Sequence, residues 1–395
     1  MGRHNAFTFP FTFFRESPEK VIPELQEVGF TGINLALNYH ASRDFLLRQG
    51  PALEYLADGF HYYKPDLHKY PSTAIKPETT DALVDSSLLE QVIKVAEKYD
   101  FEIHAWAVFM HNSAIGFRHP DATVTNCFGN HFLSELCPSS ESISGYISGL
   151  SSDLASRGIT SIAIESLHFH GAHHGEHHER FFLEMSEITA FLFSLCFCTA
   201  CKEKFTGDGE KLQSKVATAL KPFLEDCDPW LGKTLTEDAL AEIVGPEIRD
   251  YLRSRENTLT KRYRQVRDEV SEYHVKTKFV DQAPLLTNSE STPLNHSWRA
   301  GIDNESIRQI VDIYEPLIYR TSVRDVQEVG AHYRSQLGGS ITGILRPTHP
   351  DNGSERELIE KVSALKEVGI TEIDFYLLDA MRPRDLRWIR RAITS

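Results

Sequence analysis

A chain of 395 residues with a net charge of −14, 41% hydrophobic and 25% charged residues is typical of a folded globular protein. This composition excludes fibrous and disordered classes. The acidic balance, which no Lys/Arg-rich stripe offsets, argues against nucleic acid and anionic membrane surfaces as partners. The length accommodates an α/β barrel of about 250 residues with long insertions.

The N-terminus and the cysteine content indicate the compartment. The aromatic N-terminus lacks the leucine-rich core and the small-residue cleavage site of a signal peptide. No apolar run approaches the roughly 18 residues of a membrane span. Six cysteines are too few for a disulfide scaffold in a chain of this length. We therefore expect a cytoplasmic protein in a reducing compartment, without a membrane partner.

Short apolar runs alternate with helical segments along the chain. Eight runs have the character of strands. They cover residues 7–14, 31–38, 101–110, 159–164, 275–280, 317–320, 341–345 and 373–378. This alternation favours parallel neighbours, and we predict an α/β fold, a (β/α)8 TIM barrel. A doubly wound open sheet is the alternative, but no G-x-G-x-x-G or Walker sequence follows any of these strands.

The alternation is interrupted once, after the fourth strand. Roughly a hundred residues, helical in much of their length, precede the fifth strand. We expect one catalytic domain over residues 1–395, with a long, largely helical insertion at residues 171–270, between the fourth strand and the fourth helix, that carries a cysteine cluster. The sequence does not show whether this insertion is a lid, a dimer contact or a buttress, and a homo-oligomer stays an open alternative.

The predicted strands deliver polar and aromatic residues to one end of the barrel. Glu165 ends the fourth strand, and TIM-barrel active sites are built at the C-terminal ends of the strands. The same rule assigns to this mouth Asn38, Tyr39, His40, Trp106, His111, His168, His170, Arg320, Arg346, His349, Asp374 and Tyr376. Such groups bind sugar hydroxyls and stack on pyranose rings, so the expected partner is a small carbohydrate substrate.

One stretch resembles a known family. L-C-P at 136–138, a helix containing Tyr146, and G-I-T-S-I-A-I-E at 158–165 are similar to the "P-x-x-x-x-Y … D-G-I-x-x-D/E" stretch of glycoside-hydrolase-like (β/α)8 proteins. C-F-C-T-A-C at 196–201 resembles the C-x-C-x-x-C element that follows the fourth strand in many uncharacterised members. The match covers about 70 residues, and Arg157 replaces the first aspartate of the pattern. The resemblance implies a glycosidase-type site with Glu165 as a catalytic or substrate-binding carboxylate.

Glycoside hydrolysis generally uses two carboxyl groups that flank the scissile bond. We expect Glu165 to be the general acid/base and Asp281, just past the fifth strand, to be its partner, with Asp374 and Asp379 as competing choices. For Glu165 the alternative is a buried ion pair or a sugar ligand without chemistry, and the same alternative holds for Asp281. The predicted activity is cleavage of a small oligosaccharide or glycoside.

Two other functions stay open. A metal-dependent sugar isomerase, epimerase or lyase would use Glu165, Asp281, His168 and His349 as ligands of a divalent ion. A non-catalytic carbohydrate-binding barrel would bind sugar without turnover. The histidine cluster either serves a metal, as His-rich tracts do, or hydrogen-bonds substrate and loop carbonyls. Its members are His168, His170, His173, His174, His177 and His178.

The remaining motif is a group of three cysteines. Cys196, Cys198 and Cys201 have the spacing of a structural zinc knuckle, and free buried thiols are the alternative. The fourth ligand is missing locally. Cys227, Cys137, Cys127 or a histidine of the cluster would complete a tetrahedron. We do not expect a catalytic cysteine, because the sequence identifies no base beside any of them.

Overall fold

Eight short strands, buried along most of their length, form a parallel barrel in the computed structural model. The structure describes residues 2–48, 50, 52–79, 87–171, 180–286 and 292–395. The strands are β1 (Asn5–Thr8), β2 (Gly32–Tyr39), β3 (Glu102–Val108), β4 (Ser161–Glu165), β5 (Lys276–Asp281), β6 (Ile313–Pro316), β7 (Thr342–Leu345) and β8 (Glu372–Phe375). Neighbours in the chain pair in parallel, β8 pairs with β1, and isolated bridges link β6 to β7. The predicted (β/α)8 fold is confirmed.

A helix follows each strand and covers the outside of the barrel. These helices are α1 (Pro18–Val28), α2 (Leu88–Lys98), α3 (Glu141–Ala155), α4 (Glu247–Ser271), α5 (Asn304–Ile310), α6 (Val323–Leu337), α7 (Glu355–Glu367) and α8 (Pro383–Thr394). Ser322 and Ser354 accept hydrogen bonds from the third backbone N–H of α6 and α7, which fixes the first turns of these helices. No helix in the described part of the chain has the length and apolar character needed to cross a membrane.

A helical insertion separates β4 from α4, as the sequence predicts. Its helices are Glu187–Ser194, Thr199–Lys204, Gly209–Ala219, Lys221–Glu225 and Glu237–Val244. The helix α4 itself belongs to the barrel. The Gln265 side chain donates to Ser148 on α3 at 2.8 Å, and the Tyr263 ring packs edge-on against Phe279 of β5. The predicted insertion at 171–270 therefore includes most of a barrel helix.

Smaller elements extend the loops at the barrel mouth. Two hairpins follow β2 and β3, and a pair of two-residue strands lies beside β2. The strands of these elements are Ser42–Leu46, Ala52–Leu56, Thr123–Thr125, His131–Leu136, Phe60–His61 and Glu78–Thr79. Short helical segments are Phe11–Arg15, Leu67–Lys69, Ser113–Arg118, Pro120–Ala122, Ala283–Leu286, Pro293–Ala300 and Leu378–Ala380.

Two of the predicted strands are wrong in position. The first ends at Thr8, and residues 11–15 are helical because Pro10 takes a helical backbone conformation at the start of that turn. The sixth lies at Ile313–Pro316 instead of 317–320. Propensity disfavours a strand through Glu315, but a buried ion pair with Lys278 at 2.9 Å accommodates this carboxylate inside the barrel.

The barrel interior is arranged in layers along the strands. Lys278, Val280 and Gln282 of the β5 segment lie at alternate positions and so face the interior one above the other. Around Lys278 lies a polar layer with Asn34, Glu315 and Asp374. Val280 belongs to an apolar layer with Phe7, Ala36, Trp106, Ala163 and Ile344. Gln282 lies above this layer, at the mouth.

Candidate active site

Glu165 lies at the C-terminal end of β4 and projects into the barrel mouth. It shares the face of Ala163, which belongs to the interior apolar layer, and it is 8% exposed. The Trp106 indole Nε1 donates a hydrogen bond to Oε2, and the Gln282 Nε2 donates to Oε1 at 3.2 Å. Burial raises the pKa of Glu165, although the two donors and the charge of His40 act to lower it. The carboxyl group therefore keeps its proton to higher pH than an exposed glutamate, as a general acid requires.

Tyrosine side chains form one wall of the mouth beside Glu165. Tyr39 and Tyr376 are joined by a hydrogen bond between their side chains, and the ring centroid of Tyr376 is 5.9 Å from that of Tyr319. Burial, and secondarily the charges of nearby groups that include Glu165, raise the pKa of Tyr39 and of Tyr376 well above the ordinary value. Both hydroxyls therefore stay protonated and able to donate hydrogen bonds.

Arg346 follows β7 and extends the tyrosine wall. Its guanidinium lies 4.4 Å from the centroid of the Tyr319 ring. The same guanidinium donates two hydrogen bonds to the Asp351 carboxylate, both at 2.8 Å. This bidentate pair fixes the position of Arg346 and compensates its charge.

Four histidines form a row that starts at Tyr39, whose ring centroid is 4.1 Å from that of His40. His40 is stacked on His111 with ring centroids 4.7 Å apart, and His168 on His170 with centroids 4.1 Å apart. The two pairs are neighbours, because His111 and His170 are 5.9 Å apart. The His170 Nδ1 is 3.3 Å from an oxygen of the buried Glu135. The other histidines of the sequence cluster, His173, His174, His177 and His178, lie outside the described residues.

The side chain of Asp281 faces away from the mouth. It shares the outward face of Phe279, and its Oδ2 accepts a hydrogen bond from the Tyr333 hydroxyl of α6. Its Oδ1 accepts from the backbone N–H of Ala283 at 2.9 Å. Burial raises the pKa of Asp281 to about 6. The structure thus brings the next residue, Gln282, to Glu165 and directs the Asp281 carboxylate to the helical layer.

The two competing aspartates also lie in structural networks. Asp374 has no exposed surface, and it accepts hydrogen bonds from Asn5 and Asn34 in the polar layer below the apolar one. Asp379 accepts hydrogen bonds from the backbone N–H of Phe9 at 2.8 Å and from the Thr12 hydroxyl at 2.9 Å. These carboxylates brace the N-terminal segment against the end of the chain.

Three further residues assigned to the mouth from the sequence have other positions. Asn38 bonds through both side-chain heteroatoms to the backbone of Val108, where the pairing of β2 and β3 shifts register. Arg320 is buried and donates to the carbonyl oxygen of Pro284 at 2.7 Å. His349 is exposed on the loop after β7. Asn38 and Arg320 therefore hold the backbone of the mouth loops.

The structure adds a carboxylate that the sequence did not single out. Asp44 lies on the hairpin after β2, and its Oδ2 accepts a hydrogen bond from the Ser42 hydroxyl at 2.6 Å. Burial raises the pKa of Asp44, and the charge of His40 opposes this shift. The negative charge of Asp44 in turn acts on both Tyr39 and Tyr376. Asp44 and Glu165 thus both act on the same tyrosine pair, and the charge of His40 acts on both carboxyl groups.

A cleft of about 400 Å³ lies beside the mouth, between the barrel and the insertion. From the mouth it is lined by His168, Phe169, His170 and Gln282, and from the insertion and α4 by Glu187, Phe191 and Arg255. Gln282 connects the two regions because it lines the cleft and donates to Glu165. The cleft therefore adjoins the Glu165 carboxylate through the Gln282 side chain.

The fourth member of the cysteine group is Cys137. Its Sγ lies 3.7 Å from Cys196, 3.6 Å from Cys198 and 3.5 Å from Cys201, and all four Sγ atoms are within 4.8 Å of one another. A tetrahedron of thiolates around zinc at about 2.3 Å has edges of about 3.8 Å, and a disulfide would need about 2.05 Å. The donor set and its spacing fit a four-coordinate metal site. Cys227 is exposed and outside the group.

The residues predicted as ligands of a catalytic metal do not lie together as the four cysteines do. Asp281 faces the helices and His349 is exposed, whereas Glu165 lies in the mouth. Among the described residues, the cysteine group is the one set of His, Cys, Asp and Glu side chains close enough to hold an ion.

Solved structures of several enzymes with little sequence identity to this chain have a similar barrel. The catalytic domain of β-amylase from Paenibacillus polymyxa has a TM-score of 0.56 and 12% identity, covering 100% of this chain and 98% of that one. A β-galactosidase from the haloarchaeon Halorubrum lacusprofundi has a TM-score of 0.58 and 11% identity, covering 99% of this chain and 57% of that one. An α-L-fucosidase from Paenibacillus thiaminolyticus has a TM-score of 0.52 and 11% identity, covering 100% and 49%.

The shared feature is the fold. This chain spans about half the length of the galactosidase and of the fucosidase. No family model matches the sequence, and no curated protein matches it. At identities of 11% to 12% the similarity establishes the barrel architecture and not the chemistry.

Proposed function

We propose that the protein is a glycoside hydrolase-type enzyme that cleaves a small oligosaccharide or glycoside, with Glu165 as its general acid/base. The observation that carries the proposal is the environment of Glu165. This carboxyl group is buried at the end of β4, is oriented by the Trp106 indole and the Gln282 amide, and has a raised pKa. A carboxyl group that keeps its proton to higher pH than an exposed glutamate can serve as the acid that protonates a glycosidic oxygen.

For the partner carboxylate, the contacts favour Asp44 over Asp281. Both oxygens of Asp281 are engaged on the helical side of β5. Asp44 is partly buried and acts electrostatically on the same tyrosines as Glu165 does. In the proposed reaction Glu165 donates its proton to the leaving group, and Asp44 either activates water or attacks the anomeric carbon. The separation of the two carboxylates selects inversion or retention.

The residues around these carboxylates provide the proposed sugar contacts. Tyr39, Tyr319 and Tyr376 offer ring faces for the apolar side of a pyranose and hydroxyl groups for its oxygens. The side chains around the same opening are proposed to hydrogen-bond substrate hydroxyls. They are His40, His111, His168, His170 and Arg346. An intracellular glycoside as substrate agrees with the cytoplasmic localisation predicted from the sequence. A homo-oligomer also stays a prediction.

Turnover of a glycoside panel by wild type and by a Glu165→Gln variant tests this function. We expect the variant to lose about two to four orders of magnitude in kcat on the substrate that wild type cleaves, since general acid catalysis contributes about this much. Glu305→Gln, which makes the same change on the surface helix α5, should keep full activity. A Glu165→Gln variant as active as wild type, or a wild type inactive on every glycoside, contradicts the proposal.

We also propose that Cys137, Cys196, Cys198 and Cys201 bind one structural zinc ion. Four protein ligands leave no open position for substrate, so the ion would stabilise the fold and take no part in the reaction. Cys137 follows the hairpin after β3 and the other three belong to the insertion, so the site would fasten the insertion to the barrel. Elemental analysis of the purified protein should find one zinc per chain. A protein that folds with four free thiols and no metal contradicts this site.

A further inference from the structure

Among the described residues, the buried guanidinium of Arg255 has no carboxylate partner. It lies on α4, is 4% exposed and donates one hydrogen bond, from Nη2 to the carbonyl oxygen of Arg299 at 3.2 Å. Its Nε and Nη1 atoms have no hydrogen-bond partner in the part of the chain that the structure describes. The guanidinium lies 4.6 Å from the Phe169 ring and 5.5 Å from the Phe191 ring. An arginine stays charged at all physiological pH values, so this charge is desolvated and, as far as the described ranges extend, unpaired.

The location of Arg255 shows where a ligand could compensate this charge. The side chain lines the 400 Å³ cleft that also contains Gln282, the residue that donates to Glu165. Arg299 lines the same cleft, and its Nε has no partner among the described residues either. The Arg299 terminal nitrogens lie 3.4 Å from the Glu187 oxygens, so this carboxylate is already engaged. The cleft is locally basic in a protein whose net charge is −14.

We infer that this cleft binds the anionic group of the substrate, a carboxylate or a phosphate or sulfate ester, through Arg255 and Arg299. The inference rests on the proposed function and narrows its substrate class to acidic sugars. The planar guanidinium presents a fork of N–H donors that matches the oxygens of a carboxylate or phosphate. A bound anion would compensate the buried charge. Gln282 would then lie between the anionic group and the bond that Glu165 protonates.

Two other roles for Arg255 have to be separated from this one. The guanidinium lies between two aromatic rings, and a purely structural cation–π contact would need no ligand. Cys196 and Cys201 also act electrostatically on Arg255, so a metal-bound thiolate group would be a distant counter-charge. The first role predicts that loss of Arg255 lowers stability, and the second predicts that it weakens metal binding.

Binding measurements in a Glu165→Gln background test the inference without requiring turnover. Isothermal titration calorimetry would compare glucuronic acid, galacturonic acid, glucose 6-phosphate and glucose 6-sulfate with the neutral sugars glucose and galactose. We expect at least one acidic sugar to bind at least about tenfold more tightly than its neutral counterpart. Whether a uronic acid or an ester binds best identifies the source of the anion. Equal binding of acidic and neutral sugars, or no binding of any acidic sugar, overturns the inference.

Two variants of α4 assign the effect to Arg255. Arg255→Met should abolish the preference for acidic sugars, whereas Arg253→Met, the same change at an exposed arginine of the same helix, should retain it. The Tm and the zinc content of Arg255→Met should equal or exceed those of wild type, because methionine replaces an unpaired buried charge between the two rings. A lower Tm, a loss of zinc, or unchanged binding of acidic sugars overturns the assignment. Preferential binding without glycoside cleavage by wild type would contradict the proposed function and leave this subsite in place.

Discussion

Replacing Trp106 with phenylalanine removes one hydrogen bond to Glu165 and leaves an aromatic ring in its place. In the native protein the Trp106 indole donates to one carboxylate oxygen and the Gln282 amide donates to the other. Both bonds stabilise the charged form of Glu165 and lower its pKa, against the larger effect of burial, which raises it. Loss of the indole donor therefore raises the pKa of Glu165 further.

The size of this effect follows from the burial of the carboxylate. A hydrogen bond to a charged group contributes about 1.5 to 3 kcal/mol, and one pKa unit corresponds to about 1.4 kcal/mol. Glu165 is 8% exposed, so water replaces little of the lost bond. We expect the pKa to rise by about one to two units. Because a general acid must be protonated, the alkaline limb of the kcat/KM profile should move to higher pH by the same amount.

The assay is the pH dependence of kcat/KM on a glycoside that wild type cleaves. Trp388→Phe makes the same chemical change on α8, outside the barrel, and should keep the wild-type profile. An alkaline limb that stays in place in Trp106→Phe, or moves to lower pH, would refute the role given to the indole.

Three further predictions concern the second carboxylate, the cysteine site and the barrel interior. Asp44→Asn should lower kcat at least about a hundredfold with unchanged Tm, whereas Asp281→Asn should mainly lower the Tm, as kinetics and thermal unfolding of both variants would show. Cys137→Ser should lose zinc in elemental analysis and melt several degrees lower, and the exposed Cys227→Ser should do neither. Burial raises the pKa of Glu315 to about 7, so the folded state retains a proton that the unfolded chain releases above about pH 4.5. The free energy of unfolding should thus decrease between about pH 4.5 and 7 by up to about 3 kcal/mol more in wild type than in Glu315→Gln, measured by denaturant titration at each pH.

The sequence predicts the barrel because its signal is repeated along the chain. Each strand is a short apolar run between helical segments, and the placement of Glu165 follows from the end of one such run. The same signal is ambiguous where polar residues enter a strand. Glu315 lies inside β6 because Lys278 pairs with it across the interior, and no local pattern reveals a partner 37 residues earlier.

The site is less predictable than the barrel, because the direction in which each side chain points depends on such long-range contacts. In the segment from Lys278 to Gln282, polar and apolar residues occur on both faces, so alternation does not show that Asp281 points outward. Asp44 lies in a hairpin whose sequence carries no catalytic pattern. The sequence offers several choices for the fourth cysteine, because Cys137 lies 59 residues before Cys196 in the chain. The unpaired charge of Arg255 becomes visible only once its neighbours in space are known.

In the proposed reaction Glu165 delivers a proton to the leaving group, and the dependence of the Glu165→Gln defect on that group tests this role most directly. The measurement is kcat/KM of wild type and variant on phenyl and 2,4-dinitrophenyl glycosides of the same sugar. A dinitrophenolate departs without protonation, so we predict a loss of about two to four orders of magnitude on the first substrate and a much smaller loss on the second. Equal losses on both substrates would contradict the assignment of Glu165 as the general acid.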